Sequence, residues 1–147
     1  MDNSRTAPVW PTGLKRTRQR EAVLAALTEA DAPVTAMQLA SLLEQRGDAM
    51  WLSTIYRVLD IFTAHKLVTK IQVLDSGIHI YELSREHHCH YAVCVLCNRV
   101  ISMENCPMEH FSPRLSEQDF HVVGHKLQIY GYCADCARRI EVGEGHL

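Results

Sequence analysis

Two CxxC pairs carry the plainest chemistry in the chain: Cys94-Val-Leu-Cys97 and Cys133-Ala-Asp-Cys136, with 35 residues between them. Each short turn can place two thiolates beside one ion. Four thiolates at about 2.3 Å suit tetrahedral Zn²⁺ and leave no position for a substrate. A thioredoxin-like redox pair would need a βαβ surround that these stretches lack. The spacing therefore predicts a closed Cys₄ zinc site on Cys94, Cys97, Cys133 and Cys136. Cys89 and Cys106 are left over, and a lone cysteine is most often a small buried hydrophobe.

Just ahead of the first pair runs His87-His88-Cys89-His90-Tyr91. In an extended chain, alternation sets His88 and His90 on one face and Cys89 and Tyr91 on the other. Two imidazoles on one face are half of a transition-metal site. All six cysteines and seven of the nine histidines fall between His79 and Cys136, so the soft-ligand chemistry is confined to one part of the chain.

The other part carries a different chemistry. The chain has 15 Lys and Arg against 17 Asp and Glu, net −2, which is not the profile of a general polyanion binder. Residues 1–66 hold eight basic and seven acidic side chains, but Lys15, Arg16, Arg18 and Arg20 crowd into six positions. With nucleic acid as the partner, that cluster is its electrostatic footprint.

The elements that must position these groups can be read from period and punctuation. Val23, Leu24 and Leu27 recur at helical spacing after Thr17, a ready cap. Thr35 opens a second helix with Met37, Leu39, Ala40, Leu42 and Leu43, which Gly47 ends. A third helix starts at Ser53 or Thr54, where Ile55, Val58, Leu59 and Phe62 form an apolar stripe and Tyr56, Arg57 and Asp60 occupy the opposite face. LVTKIQVL and GIHIYEL then read as a hairpin around Asp75, Ser76 and Gly77. Three helices and a hairpin in this order make a winged helix-turn-helix. After a polar connector, SREHHC, the sequence predicts strands around His90 to Val93 and over RVISM, a helix over Pro107 to Leu115, and a long strand over HVVGHKLQIYGYC.

The fold class expected is α+β: an N-terminal winged helix-turn-helix, residues 1–84, followed by a small α/β dimerisation domain with a Cys₄ zinc site, residues 85–147. No apolar run approaches the roughly 20 residues of a spanning helix, and the N-terminal residues lack the apolar segment of an export signal. A cytoplasmic location is expected, and its reducing conditions favour metal ligation over disulfides.

LSTIYRVL in the third helix, YEL and HHCH ahead of Cys94, and IYGYCADC near the end make the chain resemble the ferric uptake regulator family from about Leu14 to Arg138. MENCPMEHF, with VVGHKLQIYGYC after it, looks most like the zinc uptake regulators within that family. The resemblance implies a homodimeric, metal-dependent repressor that binds a double-stranded DNA operator and controls metal-uptake genes. No membrane and no small-molecule substrate is implied. Cys94, Cys97, Cys133 and Cys136 match the family's structural zinc ligands. His88, His90, Glu109 and His125 match a second metal site beside the dimerisation sheet.

The hinge site through which the family usually senses metal is incomplete here. Glu82 matches an acidic ligand, but Cys89 stands where a histidine is usual, Tyr91 replaces the other histidine, Pro33 replaces a histidine of the DNA-binding domain, and Ser102 replaces an acid. Either His79, Glu82, His87 and Cys89 form a variant hinge site, or sensing has moved to the cluster of His88, His90, Glu109 and His125. A thiolate with imidazoles and one carboxylate suits Zn²⁺ better than Fe²⁺ or Mn²⁺, so Zn²⁺ is expected both as structural ion and as co-repressor.

For DNA, Ser53, Thr54, Tyr56 and Arg57 are placed to enter the major groove, with Arg16 beside them in the basic cluster. The resemblance assigns base and backbone contacts to Tyr56 and Arg57, and a minor-groove contact to Lys15. An iron- or manganese-responsive regulator or a peroxide sensor on the same scaffold is the alternative. A zinc enzyme is disfavoured by the absence of HExxH and of the deaminase HxE…PCxxC pattern.

Overall fold

The computed structural model describes residues 8–85 and 89–143. The chain divides into two compact units, Met1–Glu86 and His87–Leu147. Among the described residues no helix is long and apolar enough to cross a membrane.

The first unit opens with helix α1, Arg18–Glu29, whose N-cap Thr17 accepts a hydrogen bond from the Arg20 N–H at 3.2 Å. Helix α2, Ala36–Gln45, starts from a capping box. The Gln38 N–H donates to Thr35 Oγ1 at 3.1 Å, and the Thr35 N–H donates to Gln38 Oε1 at 2.8 Å. It ends where Gly47 takes φ +80°, the left-handed conformation that lets the Asp48 N–H reach back to the Leu43 carbonyl. Helix α3, Leu52–Ala64, buries Ile55, Val58, Leu59 and Phe62, the stripe expected from the sequence. These side chains pack with Val23, Leu27, Leu39 and Leu43 into one core, and Trp10 closes it edge-on to Phe62 with ring centroids 5.9 Å apart.

Strands β1, Val68–Val73, and β2, Ile78–Leu83, pair antiparallel in register from Val68 opposite Leu83 to Val73 opposite Ile78. Val34 joins the hairpin by two backbone hydrogen bonds to Tyr81, of 3.0 and 2.7 Å, so the segment between α1 and α2 is tied to the wing. Three packed helices with a tethered hairpin form a winged helix.

The second unit is built on strand β3, Tyr91–Cys94. It lies between β4, Val100–Ser102, antiparallel to it, and β5, Gln128–Gly131, parallel to it. Helix α4, Ala134–Gly143, follows β5 and is absent from the sequence reading. Two expectations are corrected. Residues 107–115 form no helix, only hydrogen-bonded turns from the Glu109 N–H to the Cys106 carbonyl (3.2 Å) and from the Phe111 N–H to the Met108 carbonyl (3.3 Å). Pro107 suits a first turn, but Pro113 would sit inside such a helix, with no N–H for the Glu109 carbonyl and a ring that clashes with it. The long strand shrinks to β5, because its partner β3 begins at Tyr91, opposite Gln128, and residues before Gln128 have no strand to pair with.

Candidate metal centres and nucleic-acid interface

The topology of the second unit sends chemistry to both ends of one short sheet. β3 and β5 run parallel, so the segments leaving them, Val95 onward and Tyr132 onward, emerge at the same end. There the two CxxC pairs meet. The four sulfurs lie within 4.8 Å of one another, and Cys97 Sγ stands 3.8 Å from Cys133 Sγ. Sulfurs at tetrahedral corners about 2.3 Å from zinc are about 3.8 Å apart, so the donor set fits that ion. Cys94, Cys133 and Cys136 are buried, and only Cys97 reaches solvent.

Local backbone geometry aims the sulfurs. Asn98 at φ +59° closes the first turn by donating its N–H to the Cys94 carbonyl at 2.9 Å. In the second pair the first turn of α4 forms on Cys133, with the Ala137 N–H donating to the Cys133 carbonyl at 2.8 Å. Cys133 and Cys136, three apart on that turn, share a face. Backbone N–H groups of Cys133 and then Cys97 pull the Cys94 thiol down to about 6. Cys136 is pushed up to about 12, first by its side-chain hydrogen bond with Cys133 and next by burial. A thiolate is thus favoured at Cys94 and resisted at Cys136, and four thiolates at such distances repel one another unless a cation stands between them.

The opposite end of the sheet holds a second cluster. His90 lies just before β3, Cys106 shortly after β4, and His125 shortly before β5. Antiparallel β4 and parallel β5 bring all three to one end. His90 Nε2 and His125 Nε2 are 3.0 Å apart, and Cys106 Sγ is 3.3 Å from each. The imidazole rings stack with centroids 4.8 Å apart, and His90 is 3% exposed. Of the second-site set read from the sequence, His90 and His125 are thus brought together. His88 lies outside the described residues. Glu109 is exposed and belongs to neither donor cluster found among the described residues. Cys106, read as a packing residue, stands in the cluster instead.

The hinge set divides. His79 and Glu82 are three residues apart on β2, so strand alternation points them to opposite faces, and at most one can join any one coordination shell. Glu82 pairs with Arg85 at 3.5 Å, its side chain 10% exposed. Cys89 is half-buried just before His90, Pro33 is buried, and His87 lies outside the described residues.

On α3, Ser53, Tyr56, Arg57 and Asp60 are all exposed at positions i, i+3, i+4 and i+7, the stripe opposite the buried one. Thr54 is half-buried at its margin. Trp51, the N-cap of α3, makes no side-chain cap and is 84% exposed, a residue the sequence reading passed over. Lys15 and Arg16 are exposed ahead of α1. Arg16 is held 4.8 Å over the Trp10 ring and 3.3 Å from Glu21, and the Arg20 guanidinium donates to the Lys15 carbonyl at 2.7 Å. The basic cluster is thereby fixed at the N-terminal end of α1 instead of spread through solvent.

Comparison with known proteins agrees with this architecture. Residues 11–130 match the profile of the ferric uptake regulator family. The chain is 33% identical over 133 residues to a ferric uptake regulation protein of Campylobacter upsaliensis, covering 88% of this chain and 85% of that one. It is 32% identical over 125 residues to a zinc uptake regulation protein of Mycobacterium tuberculosis, covering 84% and 95%. In fold it matches the ferric uptake regulator of Francisella tularensis solved with iron, with a TM-score of 0.74 at 24% identity over 88% of this chain and 98% of that one. The chain belongs to the ferric uptake regulator family, whose members are metal-responsive, DNA-binding transcription regulators and not enzymes.

Proposed function

We propose that this protein is a zinc-responsive repressor of metal-uptake genes that acts in the cytoplasm as a homodimer on double-stranded operator DNA. The observation that carries the reading is the donor chemistry of the second unit: both metal-competent clusters among its described residues contain thiols, four in one and one beside two imidazoles in the other. Soft sulfur and borderline imidazole favour Zn²⁺ over Fe²⁺ and Mn²⁺, which prefer sites richer in oxygen. The likeness to a zinc uptake regulation protein points the same way.

In this reading Cys94, Cys97, Cys133 and Cys136 hold a structural ion, and residues 1–84 form the DNA-binding domain. Ser53, Thr54, Tyr56 and Arg57 face the major groove, and Lys15 and Arg16 meet the backbone or the minor groove. Dimerisation uses the sheet of residues 85–147. Ile101, Ala92 and Ile129 lie side by side across β4, β3 and β5, with both isoleucines 46% exposed, an apolar row suited to a second copy.

A co-repressor ion strengthens DNA binding only by binding the DNA-competent arrangement of the two domains more tightly. Its ligands must therefore include groups whose separation changes with that arrangement. Cys89, with Glu82 or His79 and His87, flanks the connector and is the candidate. The test is operator binding by protein that retains only its structural zinc, titrated separately with Zn²⁺, Fe²⁺, Mn²⁺ and Ni²⁺. Zinc alone should activate, and Cys89→Ser should lose the response while keeping the four-thiolate ion. Activation by Fe²⁺ or Mn²⁺ at lower free concentration than Zn²⁺ would replace the zinc reading with the iron or manganese one.

A further inference from the structure

The loop from Met103 to Leu127 contains no helix or strand, and most of its residues are exposed. Cys106 near its start and His125 near its end nevertheless converge on buried His90. We propose that at the second metal site, which the family resemblance already implies for His90 and His125, Cys106 Sγ joins their Nε2 atoms as a zinc ligand in the role that Glu109 would otherwise hold, and that the ion clasps this loop shut at its base.

The geometry suits an ion better than it suits packing. Nitrogens at about 2.0–2.1 Å and a sulfur at about 2.3 Å from a tetrahedral centre stand about 3.3 Å (N to N) and 3.6 Å (N to S) apart. The observed 3.0 and 3.3 Å fall within a few tenths of an ångström of that. Three donors from three separate segments all turn their ligand atoms toward one point, at the end of a sheet whose backbone pairing ties the three segments together. An apolar role for Cys106 does not account for its sulfur lying equidistant from two imidazole nitrogens. The three donors found among the described residues leave the fourth tetrahedral position to water or to a donor outside this cluster, unlike the closed four-thiolate centre.

The consequence is mechanical. Joining Cys106 to His125 closes a loop of 18 intervening residues, including exposed Arg114. Cross-linking a chain at such a span removes much of the loop's conformational freedom.

The site is tested without DNA, so its failure is distinguishable from failure of the zinc-repressor reading. Cys89→Ser protein, which lacks the other thiol outside the CxxC pairs, is loaded with one structural zinc per chain and titrated with Co²⁺. One cobalt should bind with a sulfur-to-cobalt charge-transfer band in the near ultraviolet while the zinc count stays at one. Adding Cys106→Ser should abolish the band and weaken cobalt binding by more than about 100-fold, beyond what losing an outer-shell partner costs. Glu109→Ala should change neither. Tryptic cleavage after Arg114 should slow on adding Zn²⁺ and lose that protection in Cys106→Ser and His125→Ala. Cobalt bound without the sulfur band, no cobalt bound at all, or a site that Glu109→Ala destroys and Cys106→Ser spares would each overturn the proposal. The spectrum of the parent protein decides the matter even if the double variant folds poorly.

Discussion

A Cys94→Ser or Cys133→Ser chain should carry one zinc fewer and lose the folded second unit, not merely soften it. The apolar core of that unit is thin: apart from cysteines, the buried apolar side chains among its described residues are Tyr91, Val93 and Val100. A handful of such side chains, at about 1.5–3 kcal/mol each, cannot offset the chain entropy of some sixty residues. Zinc held by four thiolates contributes an apparent binding energy of about 10–16 kcal/mol, which becomes folding energy when the site exists only in the folded chain. The ion also joins the β3 turn to the start of α4, so its loss frees both. Metal analysis together with the thermal unfolding profile measures this. A serine variant that kept its full zinc and its unfolding transition would remove the four-cysteine assignment.

Tyr56→Ala and Arg57→Ala should each weaken specific operator binding by about 5- to 150-fold, the equivalent of about 1–3 kcal/mol for a side chain that reads a base edge. Both residues are exposed on α3, opposite the stripe that holds Ile55, Val58, Leu59 and Phe62 in the core. Fold, zinc content and dimerisation should therefore be untouched. Binding to unrelated DNA should fall less for Tyr56→Ala than for Lys15→Ala, whose loss removes a phosphate charge regardless of sequence. Equal operator affinity in both helix variants would take recognition away from this face of α3.

The first unit was legible in the sequence almost element by element, because its signals are local. Thr17 and Thr35 cap the helices they precede, Gly47 ends α2 in the left-handed conformation, and the α3 stripe returns at helical period. The four-cysteine cluster was legible because two CxxC turns are themselves local geometry. The rest of the second unit was not. His90, Cys106 and His125 meet through the pairing order β4-β3-β5, and no spacing along the chain encodes which residues that order gathers. Glu109 was matched to the second site by resemblance, and it lies in a stretch where the expected helix is one that Pro113 forbids. Helix α4 carries helix-favouring residues, Asp135 in its first turn and Ala137, Arg138 and Arg139 after it, but among its described residues it buries Cys136 alone, so no apolar stripe marks it in the sequence. Trp51 was missed because an exposed aromatic residue leaves no mark in a periodic pattern.

The central claim is that metal and operator bind one and the same arrangement of this protein, and the most direct measurement is their linkage. Zinc affinity of the readily exchanged site is measured with and without saturating operator DNA, and operator affinity with and without saturating zinc, on protein whose four-thiolate ion is retained throughout. The account predicts that each ligand tightens the other by the same factor, of at least about tenfold, as reciprocity of binding free energies requires. Operator affinity that is equal with and without zinc, while zinc demonstrably occupies the site, would contradict it.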